Sequence, residues 1–185
     1  MPLEKMLRFS QKKALKRLVG NSRDRLYRMA YSWTHDPHLA DDLVQQAICK
    51  ALGSHQQLRD MGAAETWLFR ILSNCLADHH RAKREFVADT EILVTDDRTP
   101  ERMTAQDQLV DRVRHSVARL PLAQRQVVTL VDLEGFAYAS VAQILDIPVG
   151  TVMSRLCRGR RALKQFLQDI KPRAETPVVF IKRVK

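Results

Sequence analysis

The stretch YASVAQILDIPVGTVMSRLCRGRRAL, residues 138–163, decides how this chain is read. It has the form of two helices joined by a short turn, the second carrying four arginines, which is how a helix-turn-helix DNA reader looks in sequence. Val141, Ala142 and Leu145 set one apolar stripe, and Val152, Leu156, Leu163 and Phe166 or Leu167 set another, both at helical spacing. The two stripes are expected to pack on each other. Asp146, Ile147 and Pro148 break the run, because Pro148 has no N–H for the helical ladder yet suits a helix start; Gly150 leaves little bulk near that start. Off the buried stripe stand Thr151, Ser154, Arg155 and Arg158, with Arg161 further round. Their hydroxyls and guanidiniums suit phosphates and base edges in a major groove, with Arg155 and Arg158 the candidates for base readout. Arginines on a helix more often form a plain solvated face, and it is the turn with its matched stripes that favours a reader here.

Composition agrees. The chain has 185 residues, enough for one domain or two small ones, and a net charge of +10 with a pI near 9.9. Such a charge favours a polyanionic partner, since each phosphate neutralised by Lys or Arg releases condensed counterions; it does not choose between DNA, RNA and a membrane surface. The apolar runs are short and interrupted by charge, and the first residues show neither a continuous apolar core nor a small-residue cleavage site, so a cytoplasmic location is expected. Cys49, Cys75 and Cys157 are isolated from one another, which signals neither a disulfide framework nor a thiolate zinc site and makes them candidates for small buried hydrophobes. His35 and His38 straddle Asp36-Pro37, and His79 and His80 are adjacent, so no metal site is expected. No Gly-rich phosphate loop, His-Glu metal motif or nucleophile with a base suggests an enzyme, and no cofactor is called for.

Outward from the opening stretch the pattern is helical almost throughout. From about residue 15 a first helix carries Leu26, Ala30 and Trp33 on one face and stops near Asp36-Pro37, where Asp36 can cap the next. That second helix, from His38 to about Leu52, turns Leu43, Ala47 and Ile48 inward and leaves Asp41, Asp42, Gln45 and Gln46 on or near its outer side. A polar stretch over 54–65 precedes a long helix from about Thr66, with Leu68, Ile71, Leu72, Cys75 and Leu76 apolar and a strongly basic far end. Residues 85–105 are acidic, contain Pro100, lack helical period and read as a flexible linker. Helices resume from about Gln106, break at Leu120-Pro121, and continue until Gly135 sits where a helix C-cap favours glycine. The expectation is an all-α protein of two small helical domains, over 15–84 and 106–168, with an extension over 1–14 and a basic tail over 169–185. Strand propensity in that tail, TPVVFIKRV, has no assigned role.

Three strings, DDLVQQAICKAL from Asp41, TWLFRILSNCLADHHRAKR from Thr66, and LPLAQRQVVTLVDLEGFAYASVAQILDIPVGTVMSRLCRGRRAL from Leu120, occur in this order in a short chain. Together they resemble bacterial RNA polymerase sigma factors of the extracytoplasmic-function (ECF) type, over almost everything from about residue 15 to about residue 167. The resemblance implies that the first domain is sigma region 2 and binds the clamp helices of the polymerase largest subunit through Asp41, Asp42, Leu43, Gln45 and Gln46. Acidic and amide side chains suit a partner helix bearing arginines, though Asp41 and Asp42 also favour a helix N-terminus electrostatically, and Gln46 stands where a glutamate is usual. It further implies that the third helix holds the non-template strand of the −10 element through Asn74, Asp78, Arg81, Lys83 and Arg84, with a flipped base captured at the polar loop over 54–65. Trp67 suits either a stacking platform or the core, the latter being the commoner setting for a Trp beside Leu68 and Ile71. Phe69 and Arg70 have no clear place.

By the same resemblance the second domain is region 4, which reads duplex DNA at the −35 element through Thr151, Ser154, Arg155, Arg158 and Arg161. Met153 stands where a basic residue is common, and Ala139 where an acidic one is. The implied function is that of an alternative sigma factor directing core polymerase to promoters and aiding melting, under control of an anti-sigma factor that is often membrane-bound. Two rivals stand beside it. A stand-alone helix-turn-helix regulator would bind a palindrome tightly as a dimer without polymerase, and a generic nucleic-acid binder would show salt-dependent binding without sequence preference.

Overall fold

A computed structural model describes residues 3–58, 60–86 and 105–167, with the side chains of 13–58, 60–83 and 110–167. Most of the linker expected over 85–105, and all of the tail expected over 169–185, lie outside the described residues. The elements are α1 (Leu3–Thr34), α2 (Pro37–Gly53), α3 (Ala64–Phe86), α4 (Ala105–Ala118), α5 (Leu122–Val128), α6 (Tyr138–Leu145) and α7 (Val149–Leu167). Two 3-10 turns, His55–Gln57 and Met61–Ala63, link α2 to α3, and a π-turn, Thr129–Leu133, prolongs α5. Among the described residues all regular structure is helical, as expected.

The first three helices form because their apolar residues recur at helical intervals. In α1 Leu15, Val19, Ser22, Leu26, Met29 and Trp33, alternately four and three apart, are buried together with Ala30, which gives one continuous seam. The seam packs on Ala40, Leu43, Val44, Ala47 and Ala51 of α2 and on Leu68, Leu72, Cys75 and Leu76 of α3. α1 runs unbroken from Leu3, so the boundary expected at residue 15 falls inside a helix. It ends because His35 adopts a left-handed φ of +55° and Asp36 is extended. The Asp36 carboxylate then accepts from the backbone N–H groups of His38 and Leu39 at 2.9 and 3.0 Å, with Pro37 at the first helical position, so the expected cap is in place.

The last four helices pack similarly. Val141 and Ile144 of α6 meet Val152 and Leu156 of α7, while Ala142 and Leu145 of the expected stripe are only half-buried. The turn between them works through Asp146, whose φ of +54° a short polar side chain tolerates, and through the Pro148 carbonyl, which accepts from the N–H groups of Thr151 and Val152 at 2.9 and 3.1 Å. Gly135 has φ +75° and closes the π-turn, and the Phe136 N–H reaches back to the Leu130 carbonyl at 3.0 Å. Gly150 has open space around it, so packing does not require a glycine there. Gly159 is the reverse case: a Cβ on it would lie 2.6 Å from Val128 Cγ2, because α5 and α7 touch at that point.

The two halves share one core. The Trp33 indole N–H donates to Thr129 Oγ1 at 2.9 Å, and Thr129 Oγ1 donates in turn to the Arg125 carbonyl at 2.8 Å. The Arg125 guanidinium donates to the Trp33 carbonyl at 2.8 Å, to the Leu120 carbonyl at 2.9 Å and to the Ala118 carbonyl, tying the end of α1 to the α4–α5 corner. Arg25 of α1 bonds Glu134 after the π-turn and Glu65 of α3, each at 2.8 Å. Phe69 of α3 meets Phe136 edge-on at 5.0 Å, with Arg25 above the Phe69 ring. Arg70 reaches Asp146 at 3.3 Å.

Two outcomes are expected. Gly159→Ala loses about 1–3 kcal/mol of stability in chemical denaturation by overpacking against a stiff β-branched side chain, whereas Gly150→Ala is neutral or slightly stabilising. The second concerns His35, whose Nε2 is buried without a partner. Burial, then Arg125, then His115, pull its pKa from 6.5 to about 4. The folded chain thus binds fewer protons than the unfolded one between those values, so stability is level above about pH 6.5 and falls as the pH drops towards 4. His35→Asn, which tolerates the same φ, removes that component from a pH series of denaturation midpoints.

Candidate nucleic-acid interface

Helix α7 stands on a packed base. Val152, Leu156 and Gly159 face inward, which leaves Ser154, Arg158 and Arg161 exposed and Thr151 and Arg155 half-buried. These five recur at i, i+3, i+4, i+7 and i+10 and so share one side of the helix, as expected. Arg158 lies back along the helix, its Nε 3.3 Å from the Ser154 carbonyl and Nη2 3.4 Å from Ser154 Oγ. The Ser154 hydroxyl itself donates to the Thr151 carbonyl at 3.1 Å. Arg160 is different: it makes a two-pronged ion pair with Asp132 of the π-turn, which raises its pKa and fixes α7 to α5. Met153 and Val149 add exposed apolar surface to the start of the helix.

Helix α2 presents Asp42, Gln45 and Gln46 to solvent, with Asp41 half-buried. Asp41 accepts from Arg23 at 3.2 Å and from the Gln45 amide at 3.0 Å, so part of its charge is already satisfied within the chain. Leu43 faces the core, as the helical period predicts, and so lies beneath the polar side chains with which the resemblance groups it. It is 1 % exposed and faces α1, because its place in the helical period points it into the core. Cys49 and Cys157 are exposed rather than buried, and only Cys75 of the three is in the core. There burial raises the thiol's pKa against the opposing effect of Lys50.

On α3, Asn74, Asp78, Arg81 and Lys83 are all exposed; Arg84 continues the helix but its side chain is outside those described. Asp78 has a structural part as well, bonding Lys50 of α2 at 3.1 Å and Arg81 one turn on at 3.3 Å, and the first of these bonds raises the Lys50 pKa. Trp67 is half-buried against the core, and Phe69, which the sequence leaves unplaced, is fully buried. No group of His, Cys, Asp and Glu that could hold a metal occurs among the described residues.

Two family descriptions match this architecture: sigma-70 region 2 over residues 18–86 and sigma-70 region 4 over residues 111–163. The sigma factor SigM of Mycobacterium tuberculosis, an ECF RNA polymerase sigma factor, is 33 % identical over 156 residues, spanning 83 % of this chain and 77 % of its own length. SigW of Bacillus subtilis, of the same type, is 28 % identical over 83 % of this chain and 88 % of its own. This chain belongs to the ECF RNA polymerase sigma factors. Region 2 comprises most of α1 with α2 and α3, and region 4 most of α4 with α5 to α7. The sigma factor RpoE of Bartonella quintana, solved in complex with the anti-sigma factor NepR, superposes with a TM-score of 0.66 at 25 % identity, over 84 % of this chain and 98 % of that one. A stand-alone regulator is not favoured by these likenesses, and the role is that of an alternative sigma factor.

Four parts of this ECF sigma factor escaped the sequence: Arg25, Arg125, the Phe69–Phe136 contact and the Lys50–Asp78 pair. Nothing local marks a long-range partner. Gly159 could have been found, since a lone glycine inside a strong helical pattern often marks a close approach. Leu43 and Asp42 can be told apart by measurement. Leu43→Ala costs about 2–5 kcal/mol of stability through the cavity it leaves. Asp42→Arg on the exposed face changes stability by no more than about 0.5 kcal/mol in the same denaturation experiment.

Proposed function

We propose that this sigma factor engages core RNA polymerase through the outer side of α2, with Asp41, Asp42, Gln45 and Gln46 as the polar contact and Leu43 supporting them from below. Exposed carboxylates and amides on one helix suit charge-assisted bonds to a cationic partner helix. Asn74, Arg81, Lys83 and Arg84 then track the non-template strand at the −10 element, with Asp78 orienting Arg81. Thr151, Ser154, Arg155, Arg158 and Arg161 read the −35 element in the major groove. The observation that carries this reading is the segregation of charge: acid and amide lie exposed on α2, while cations lie exposed on α7 and at the end of α3.

The mechanism is recruitment rather than catalysis. Two weak readers held by polymerase at a fixed separation gain avidity that neither has alone, and melting between them is driven by capture of the unpaired strand. The chain acts in the cytoplasm; among its described residues no helix is long and apolar enough to cross a membrane. Its regulator is an anti-sigma factor, the kind of partner that the Bartonella quintana relative holds in its complex.

Run-off transcription with core polymerase and a promoter-fragment library tests this. Wild type yields specific transcripts, Asp42→Arg loses them while its region 4 still binds duplex DNA, and Arg158→Ala weakens promoter recognition by about 1–3 kcal/mol and relaxes preference at one −35 position. Full transcription by both variants would contradict the assignment.

A further inference from the structure

The outward side of α7 is wider than the five residues assigned to it. Val152, Leu156 and Gly159 are buried, and at ~100° per residue the direction opposite them falls on Ser154 and Arg161. Arg158 and Cys157 stand about 50° to either side of that line, and Thr151 and Met153 about 70–90° to either side. Exposure agrees: Met153 is 54 % exposed and Cys157 is exposed, whereas Thr151 is half-buried. The reader therefore has two flanks. Thr151 and Arg158 line one with a hydroxyl and a guanidinium. Met153 and Cys157, one turn apart, line the other with two sulfur-bearing side chains that hydrogen-bond only weakly.

Nothing in the packing of region 4 asks for those two side chains. The core takes Val152 and Leu156 from this part of α7, and neither Met153 nor Cys157. Arg160, the cation one turn beyond Cys157, is drawn off this flank by Asp132, with its Nε 3.1 Å from the carboxylate. What is left is a soft strip set lengthwise beside Ser154, Arg158 and Arg161. A polar base edge buried against such a strip gives up its water and gains no partner, which is costly. One group in the major groove avoids that cost, the C5-methyl of thymine, which is apolar and meets apolar side chains favourably. Methionine, unbranched and polarizable, adapts its shape to such a group, and the thiol of cysteine behaves as a small hydrophobe beside it. A basic side chain at position 153 would hold a phosphate or a guanine edge; Met153 can do neither.

We propose that Met153 and Cys157 are specificity-determining residues of region 4. They receive the C5-methyl groups of one or two thymines in the −35 element, while Ser154, Arg158 and Arg161 hydrogen-bond to the neighbouring base edges and phosphates. The proposal rests on the reader assignment above and deepens it by naming what the apolar flank selects.

Holoenzyme assembled from core polymerase and the full chain, bound to a promoter fragment recovered from the library, tests it when each thymine of the −35 element is replaced in turn by deoxyuridine. Each replacement deletes one methyl group and leaves every base pair and hydrogen bond in place. Wild type loses about fourfold in affinity at one or two of these positions, the effect of one buried methyl group. In the double variant Met153→Ala, Cys157→Ser, whose changed side chains are exposed and whose thermal midpoint is unchanged, thymine and deoxyuridine bind alike, and the single variants divide the effect between them. Arg158→Ala weakens binding and keeps the methyl effect. A flat scan in wild type while Arg158→Ala still weakens binding overturns the methyl readout alone, as does a methyl effect undiminished in the double variant, or a −35 element without A·T pairs. A flat scan together with Arg158→Ala binding like wild type sinks the reader assignment as well.

Discussion

The hydrogen bond from the Trp33 indole to Thr129 is the constraint on which the arrangement of the two halves depends. A tryptophan at the end of α1 can be buried only if its N–H finds an acceptor, and the acceptor comes from a helix that follows in the chain almost a hundred residues later. That acceptor sits where the π-turn begins, so the i→i+5 register there also decides where Glu134 and Phe136 fall. Arg125, one turn earlier, closes the same corner by donating to three carbonyl groups that the ends of α1 and α4 leave open. Region 2 and region 4 are therefore joined by backbone and side-chain polar groups that need each other in a dry setting, and not only by apolar surface.

The same logic separates structural from functional charge. Arg160 and Lys50 are spent on Asp132 and Asp78, and they hold helices together within their own halves. Arg155, Arg158 and Arg161 share a side of α7 away from the buried Val152, Leu156 and Gly159, and that concentration of positive charge suits an anionic partner. On α2 the outer acids contribute little to the fold.

Much of this was legible in the sequence because it is local. Helical periodicity located all seven helices among the described residues, Asp36 was readable as a cap, Gly135 as a terminator and Asp146-Ile147-Pro148 as the turn, since each depends on neighbours a few residues away. The faces of α7 and α2 followed from the same period, which turned Leu43 inward as it lies; only the family resemblance groups it with its polar neighbours. Cys49 and Cys157 are the failure, small apolar character having been taken to mean burial where the period turns them outward. The contact between the halves was not legible at all. Arg25, Phe69, Arg70 and Arg125 look like ordinary helix residues until the fold brings Glu134, Phe136, Asp146 and the Trp33 carbonyl to them.

Small-angle X-ray scattering from the free chain tests most directly whether the two promoter-reading halves share one core. The account predicts a pair-distance distribution with one main peak, as expected when region 4 lies against α1 and α3. A distribution with two separated lobes would contradict it, and would mean that Trp33 and Thr129 are apart in solution.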